Sequence, residues 1–265
     1  MGGQSPNFQG ITDYDVLLKL ALGYAWNRAL GTPRDRKISF CVAGVEKAGT
    51  TVLSAYLSRH PDIRMPLRKE PRYFVDNRFF PEGGGLEGNV AWYHRNFWWF
   101  GTQNRQLGDA SPQYFLHPEA AARIHAYNPE MKIVVLLRNP LDRMVSYWQM
   151  AVRNGAKISW EDWARMANQH QNRWVYSPSV ERWMAQFPAD QILFLPHHSF
   201  ATHQESALQE IYRHLGVRSE GIPFEPLRRN TRRNAPKPTI AGDFPDWLAP
   251  DMRRTEELLG WSLDG

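Results

Sequence analysis

Residues 38 to 44, Ile-Ser-Phe-Cys-Val-Ala-Gly, form a short apolar run ending on a glycine, and a second glycine, Gly49, follows five residues later. From Thr50 to Arg59 the apolar positions Val52, Leu53, Tyr56 and Leu57 recur at helical spacing, and Pro61 ends the pattern. This succession of strand, glycine-bounded loop and helix constrains the chain more than any other feature. An apolar run without alternation is buried on both faces, as strands of a parallel sheet are. The succession recurs. Lys132 to Leu137 is a second buried run, and it leads into Asn139-Pro140-Leu141-Asp142, which has an Asn cap, Pro at the first helical position and an acid in the first turn. Gln191 to Leu195 is a third run, followed by a helical pattern from Glu205 to Leu215 and a stop at Gly216. Strands alternating with helices predict an α/β, three-layer fold with a central parallel sheet flanked by helices.

The loop Gly44-Val-Glu-Lys-Ala-Gly-Thr-Thr51 has the Gly-x-x-x-x-Gly spacing of a P-loop, so the predicted fold is P-loop-containing. Backbone N–H groups of such a loop and the positive end of the following helix converge on a phosphate. The usual lysine after the second glycine is replaced by Thr50, and a lysine stands inside the loop as Lys47. That placement disfavours a nucleotide hydrolase or kinase, which needs Lys reaching the terminal phosphates from the helix start. It suits a donor whose short phosphate chain ends inside the loop. The plain structural alternative is a tight strand-to-helix turn with an exposed lysine.

A second constellation, Arg138-Asn-Pro-Leu-Asp-Arg-Met-Val-Ser146, lies where a buried strand ends and a capped helix begins, the crevice side of an open α/β sheet. Arg138 at the strand end and Ser146 two turns into the helix are placed to hold one phosphate from two sides. The alternative is a surface pair of Arg138 with Asp142. Taken together, Glu46-Lys-Ala-Gly-Thr-Thr51 and the Arg138 to Ser146 segment resemble the PAPS-dependent sulfotransferases, nearest the branch of the heparan sulfate sulfotransferases and their bacterial relatives. The resemblance runs from about Ile38 to the C-terminus through His60-Pro-Asp-Ile63, Lys69-Glu-Pro-Arg-Tyr-Phe74, Asp109-Ala-Ser-Pro-Gln-Tyr114, Val180-Glu-Arg-Trp183 and Leu258-Leu-Gly-Trp-Ser-Leu263. It implies residues 38–265 as one sulfotransferase domain after an N-terminal helical extension, 1–37.

The resemblance also implies roles. Lys47, Ala48, Gly49, Thr50 and Thr51 would hold the 5′-phosphosulfate of the donor PAPS, and Arg138 and Ser146 the 3′-phosphate that remains in the product PAP. Glu70 falls where this branch places its general base, and Lys47 would stabilise the leaving phosphate. No metal is needed in that scheme, and no ligand cluster stands out. Glu70 is flanked by Lys69 and Arg72, a setting in which a carboxylate also reads as a solvated ion pair, and His94 is the rival base. Where the heparan-type enzymes have Glu-Lys-Ser-Pro, this chain has Asp109-Ala-Ser-Pro112, without the lysine, and it lacks their paired C-terminal cysteines. Both departures favour a bacterial, cytoplasmic enzyme acting on a hydroxyl of a small molecule, sugar or lipid-linked metabolite over one acting on a polyanionic glycan.

Composition bounds what remains. The chain of 265 residues carries a single cysteine, Cys41, so no internal disulfide forms, which points to a reducing compartment. A net charge of +5 is consistent with an anionic ligand, yet no long basic face supports a nucleic-acid module. No stretch reaches the roughly 18 consecutive apolar residues of a membrane span. The N-terminal pattern from Tyr14 to Leu30 is interrupted by charges, which reads as a helix docked on its own domain, with membrane contact the lesser alternative. Aromatic residues make up 13% of the chain, and Trp92, Tyr93, Phe97, Trp98, Trp99 and Phe100 crowd one segment that serves either as acceptor pocket or as core. The basic stretch from Arg228 to Lys237 is either a loop over the donor nucleotide or a solvated loop.

Overall fold

The structure is a computed structural model that describes residues 21–23, 25, 36–76, 90–99, 101–227, 238 and 246–264. Five strands, β1 (Phe40–Gly44), β2 (Ile63–Arg64), β3 (Gln106–Ala110), β4 (Lys132–Leu137) and β5 (Ile192–Pro196), form a sheet in the order β2-β3-β1-β4-β5. Every neighbouring pair is parallel. The helices used below are α1 (Thr50–Arg59), α2 (Val90–His94), α3 (Ala120–Tyr127), α4 (Pro140–Arg153), α5 (Trp160–Gln169), α6 (Ser177–Gln186), α7 (His197–Thr202), α8 (Gln204–His214) and α9 (Leu248–Leu259).

β1 is buried at all five positions and β4 at all but its first, which accounts for their unbroken apolar sequences. Cys41 lies opposite Ile133 on one side and Asp109 on the other. From β1 the chain leaves towards β2, and from β4 it leaves towards β5, so the connections of these two adjacent strands run in opposite directions. A crevice opens at the carboxyl ends of two such strands, where α/β proteins bind ligands. Gly44 closes β1 against Phe115: a Cβ at this position would stand 2.4 Å from the Phe115 Cβ, so only glycine lets the strand end this close to its neighbour.

The predicted helix Thr50–Arg59 and strand Lys132–Leu137 are found with those limits. β1 begins at Phe40 rather than Ile38, and β5 is displaced by one residue to Ile192–Pro196. Helix α4 starts as its sequence dictates, with the Asn139 side chain accepting from the amides of Leu141 at 2.8 Å and Asp142 at 3.2 Å. Strands β2 and β3 carry no apolar signature, because β2 is two residues long and β3 reads Gln-Leu-Gly-Asp-Ala.

Much of the aromatic surplus is core. Tyr93, Phe97 and Trp99 are buried with Tyr73, Phe74, Tyr114 and Tyr127. Tyr73 and Tyr93 stack at 4.6 Å, and Phe74 meets Tyr93, Tyr114 and Tyr127 between 5.3 and 5.5 Å. Such ring pairs add roughly 0.5–1.5 kcal/mol each beyond area burial, which fastens the 73–75 turn and α2 to the sheet. Among the described residues no helix is long and apolar enough to cross a membrane. The N-terminal extension lies mostly, and the basic stretch from Arg228 to Lys237 wholly, outside the described residues, as does Phe100.

Candidate active site

The loop between β1 and α1 is built around two left-handed residues, Lys47 (φ 70°) and Gly49 (φ 91°). Gly49 occupies the N-cap of α1 and offers no side-chain cap; its carbonyl accepts from the Val52 and Leu53 amides at 2.9 and 3.0 Å, and the Thr50 and Thr51 amides stand ahead of the first intrahelical bond. A helix start left open in this way is an anion site by construction. The Val45 amide donates to the Leu136 carbonyl at 2.7 Å, which ties the loop to the end of β4. Ala48 and Thr50 are buried and Thr51 is exposed. The Ala48 carbonyl is 2.9 Å from Nδ1 of His197, the first residue of α7.

Cationic side chains gather at this loop. Lys47 lies with Nζ 3.3 Å from the Met150 sulfur and 5.7 Å from the centre of the Tyr147 ring. Burial, with the charges of Arg153, Arg138 and Lys69, holds its ammonium below the usual lysine range, against the opposing pull of Glu46. Arg138 sends one guanidinium N–H to the Lys47 carbonyl at 3.1 Å and another to Asp142 at 3.5 Å. The pair with Asp142 is therefore present, and the contact with the Lys47 carbonyl is one that linear spacing did not announce. Arg138, Asn139, Asp142, His197, His198 and Thr202 line a cleft of about 420 Å³ beside the loop. Ser146 is half-buried on α4. A donor set of ammonium, guanidinium and backbone N–H groups suits phosphate oxygens, although Asp142 and Asp264 also stand on the wall of the cleft.

Glu70 stands on the other side of the loop. Its side chain is only 18% exposed and meets Arg72 at 2.8 Å and Lys69 at 3.2 Å. Lys69 Nζ also donates to the Thr51 hydroxyl at 3.1 Å, so one lysine joins Glu70 to the first turn of α1. Burial alone would raise the Glu70 carboxyl, but hydrogen bonds from Arg72 and Gln113 and the charge of Lys69 outweigh it and hold the group below the ordinary glutamate range. Glu70 is ionised near neutral pH as a result. Among the described residues only Lys47, Glu70 and Arg72 are non-glycine residues with positive φ, and all three border this site. Glu70 opens onto a polar cleft of about 390 Å³ lined by Arg68, Lys69, Pro71, Arg72 and Asp76.

His94, the rival base, lies in the core: it is 3% exposed and its Nε2 is 2.8 Å from the Tyr127 hydroxyl. Several residues that shape the site gave no signal of their own. Glu46 and Gln113 lie 67 positions apart, yet Gln113 Nε2 donates to Glu46 at 2.9 Å and to Glu70 at 3.2 Å. Glu46 also accepts from the Tyr147 hydroxyl. Arg143 is buried beneath the loop, its Nε donating to the Glu46 carbonyl at 3.1 Å and its guanidinium facing Trp174 and Tyr147. Glu46, Gln113 and Arg143 all stand in the motif segments, but linear spacing does not reveal that they meet. Asp109, fully buried, accepts from Tyr114, Ser111 and Tyr93 at 2.7, 2.8 and 3.0 Å. Its carboxyl is raised to about 6 because burial outweighs those bonds.

A parallel sheet whose switch point carries a glycine-bounded loop, a loop lysine and a strand-end arginine defines an α/β protein of the P-loop-containing class. Comparison with known proteins narrows this class: the family model described as "Sulfotransferase domain" matches residues 37–239, and the chain belongs to that family. Human heparan sulfate glucosamine 3-O-sulfotransferase 6 is 29% identical over 178 residues, covering 63% of this chain and 48% of the relative. Mouse bifunctional heparan sulfate N-deacetylase/N-sulfotransferase 4 is 27% identical over 218 residues, covering 73% of this chain and 24% of the relative. The chain thus spans about half the length, or less, of these curated relatives. The crystal structure of a sulfotransferase from Alicyclobacillus acidocaldarius superposes with a TM-score of 0.68 at 25% identity, covering 86% of this chain and 98% of that one.

Proposed function

We propose that this protein transfers a sulfuryl group from PAPS to a hydroxyl of a small molecule, sugar or lipid-linked metabolite. One observation carries the reading: a cationic phosphate cradle and an ionised glutamate lie on either side of one loop and are joined through Lys69. Lys47, Ala48, Gly49, Thr50 and Thr51 would hold the 5′-phosphosulfate, and Arg138 and Ser146 the 3′-phosphate. In the transfer a sulfur–oxygen bond to the donor phosphate breaks as one to the acceptor oxygen forms, and negative charge builds on the leaving phosphate. Lys47 and the α1 amides offset that charge. Glu70 takes the acceptor's hydroxyl proton as the new bond forms. Heparan-modifying relatives support a carbohydrate among the candidate acceptors. Family membership weighs against the kinase alternative, as does Thr50 in place of the nucleotide-kinase lysine. A cytoplasmic setting is part of the proposal and rests on the lone, buried Cys41.

Calorimetry with PAP and transfer of labelled sulfate from PAPS to heparan sulfate, simple sugars and phenols test this reading. It expects PAP binding without added metal and label on at least one hydroxyl acceptor. Absence of PAP binding, or magnesium-dependent ATP binding in its place, overturns it.

A further inference from the structure

We propose that Gln113 is the positioning residue that aims the candidate base, by clamping Glu70 to Glu46 of the phosphate loop. This rests on the reading of Glu70 as the base. Both acceptors are carboxylates, so the Gln113 amide is forced to turn its Nε2 towards them; the reverse orientation would set oxygen against oxygen. One N–H then goes to Glu46 at 2.9 Å and the other to Glu70 at 3.2 Å. The cost of that orientation is visible on the other side of the amide, where Oε1 is buried and accepts no hydrogen bond among the described residues. Packing alone does not call for this arrangement, since an apolar side chain of the same length would fill the position without stranding an acceptor.

Both ends of the clamp are held. Gln113 sits between Tyr114, whose hydroxyl is anchored on Asp109, and Pro112, and two residues on the Phe115 amide donates to the Ala43 carbonyl of β1 at 2.8 Å. Glu46 is fixed by the Tyr147 hydroxyl and, through its carbonyl, by Arg143. Glu70 by contrast lies on an irregular segment with left-handed backbone at Glu70 and Arg72, and its other partners, Lys69 and Arg72, are exposed side chains of that same segment. Gln113 therefore ties the Glu70 carboxylate directly to the donor loop, beside the longer route through Lys69 to Thr51 and the Arg72 amide's bond to the Ser111 hydroxyl at 3.1 Å. The charged groups around Glu70 are Lys69 and Arg72 on its own segment, Glu46 across the amide and buried Asp109 behind it. The two N–H groups of Gln113 also keep two carboxylates compatible at close range.

The test is Gln113→Met in the full chain, read in three ways. With ¹³C-labelled glutamate, NMR follows the titration of Glu70; loss of the donor moves its midpoint upward, since Gln113 stabilises the ionised form. PAP affinity by calorimetry stays within about twofold, and kcat for sulfate transfer to heparan sulfate or p-nitrophenol falls about tenfold or more, the range for losing a hydrogen bond to a charged group. If Met at this position prevents PAP binding through misfolding, Gln113→Glu keeps the size and removes the donors, and its Glu70 midpoint moves further upward. An unchanged midpoint together with wild-type kcat overturns the inference. Glu70→Gln runs in parallel: if that variant remains active the base reading fails, whereas an inactive Glu70→Gln beside a wild-type-like Gln113→Met removes only the role of Gln113.

Discussion

Replacing Lys47 with Met separates a lysine that holds a ligand from one that merely decorates a turn. Met is the fitting replacement, because the Lys47 stem already lies between the Met150 sulfur and the Tyr147 ring. In the free protein the ammonium is partly buried and repelled by Arg153, Arg138 and Lys69, which is why it protonates less readily than an ordinary lysine. A lysine with a depressed folded-state value costs stability while protonated, so removing its charge leaves Tm unchanged or higher. A phosphate in the cradle reverses the sign. The lost interaction is one charge-assisted hydrogen bond, worth ~1.5–3 kcal/mol, which corresponds to PAP binding weaker by about 10- to 150-fold. Calorimetry at low salt measures the affinity and a thermal melt measures the stability. Wild-type affinity in Lys47→Met, or a large loss of Tm without ligand, refutes the assignment and returns Lys47 to a structural role. In the wild-type protein, PAP affinity also falls as pH rises through the lysine's titration, and Lys47→Met removes that limb.

Glu70→Gln lowers the rate of transfer by about 10²-fold or more while PAP affinity changes less than about twofold, because a general base contributes to the rate on that scale and Glu70 lies outside the cationic cradle; labelled-sulfate kinetics beside calorimetry check the split. Gly49→Ala forces an L side chain to φ 91° with its Cβ 3.4 Å from His197 and Phe200, so chemical denaturation shows a loss of roughly 1–2 kcal/mol, and PAP binding weakens because the helix start is displaced. Asp109 has a folded-state value of about 6 against an ordinary 3.8, so the folded protein holds the extra proton between those values. Its contribution to stability is therefore full below about pH 4 and declines on the order of 3 kcal/mol as pH rises to 6. The difference between wild-type and Asp109→Asn denaturation curves across that window traces the decline; a flat difference contradicts the buried-carboxylate account.

What was legible in the sequence was local. Runs such as Phe-Cys-Val-Ala-Gly and Lys-Ile-Val-Val-Leu-Leu are apolar because both faces of a central strand are covered, so β1 and β4 announced themselves while β2 and β3 did not. The Asn139 cap, Pro140 and the glycine pair 44 and 49 report backbone geometry within a few residues, and those positions behaved as their chemistry dictates. The tryptophan and tyrosine surplus was ambiguous for the opposite reason. An aromatic ring serves a core or a pocket equally well, and only the packing of the rings around one another assigned Tyr93, Phe97 and Trp99 to the core.

The sequence by itself thus determined the parallel α/β class, the open loop at the end of β1 and the residue types a phosphate requires. The tertiary structure decided who meets whom. It brought Arg138 to the Lys47 carbonyl 91 positions away, set Gln113 between Glu46 and Glu70, and withdrew His94 into the core. Local signals follow from propensity, capping and burial, which act over one or two turns. Pairings between distant segments depend on sheet order, and the order β2-β3-β1-β4-β5 is fixed by the packing of the whole domain rather than by any stretch of the chain within it.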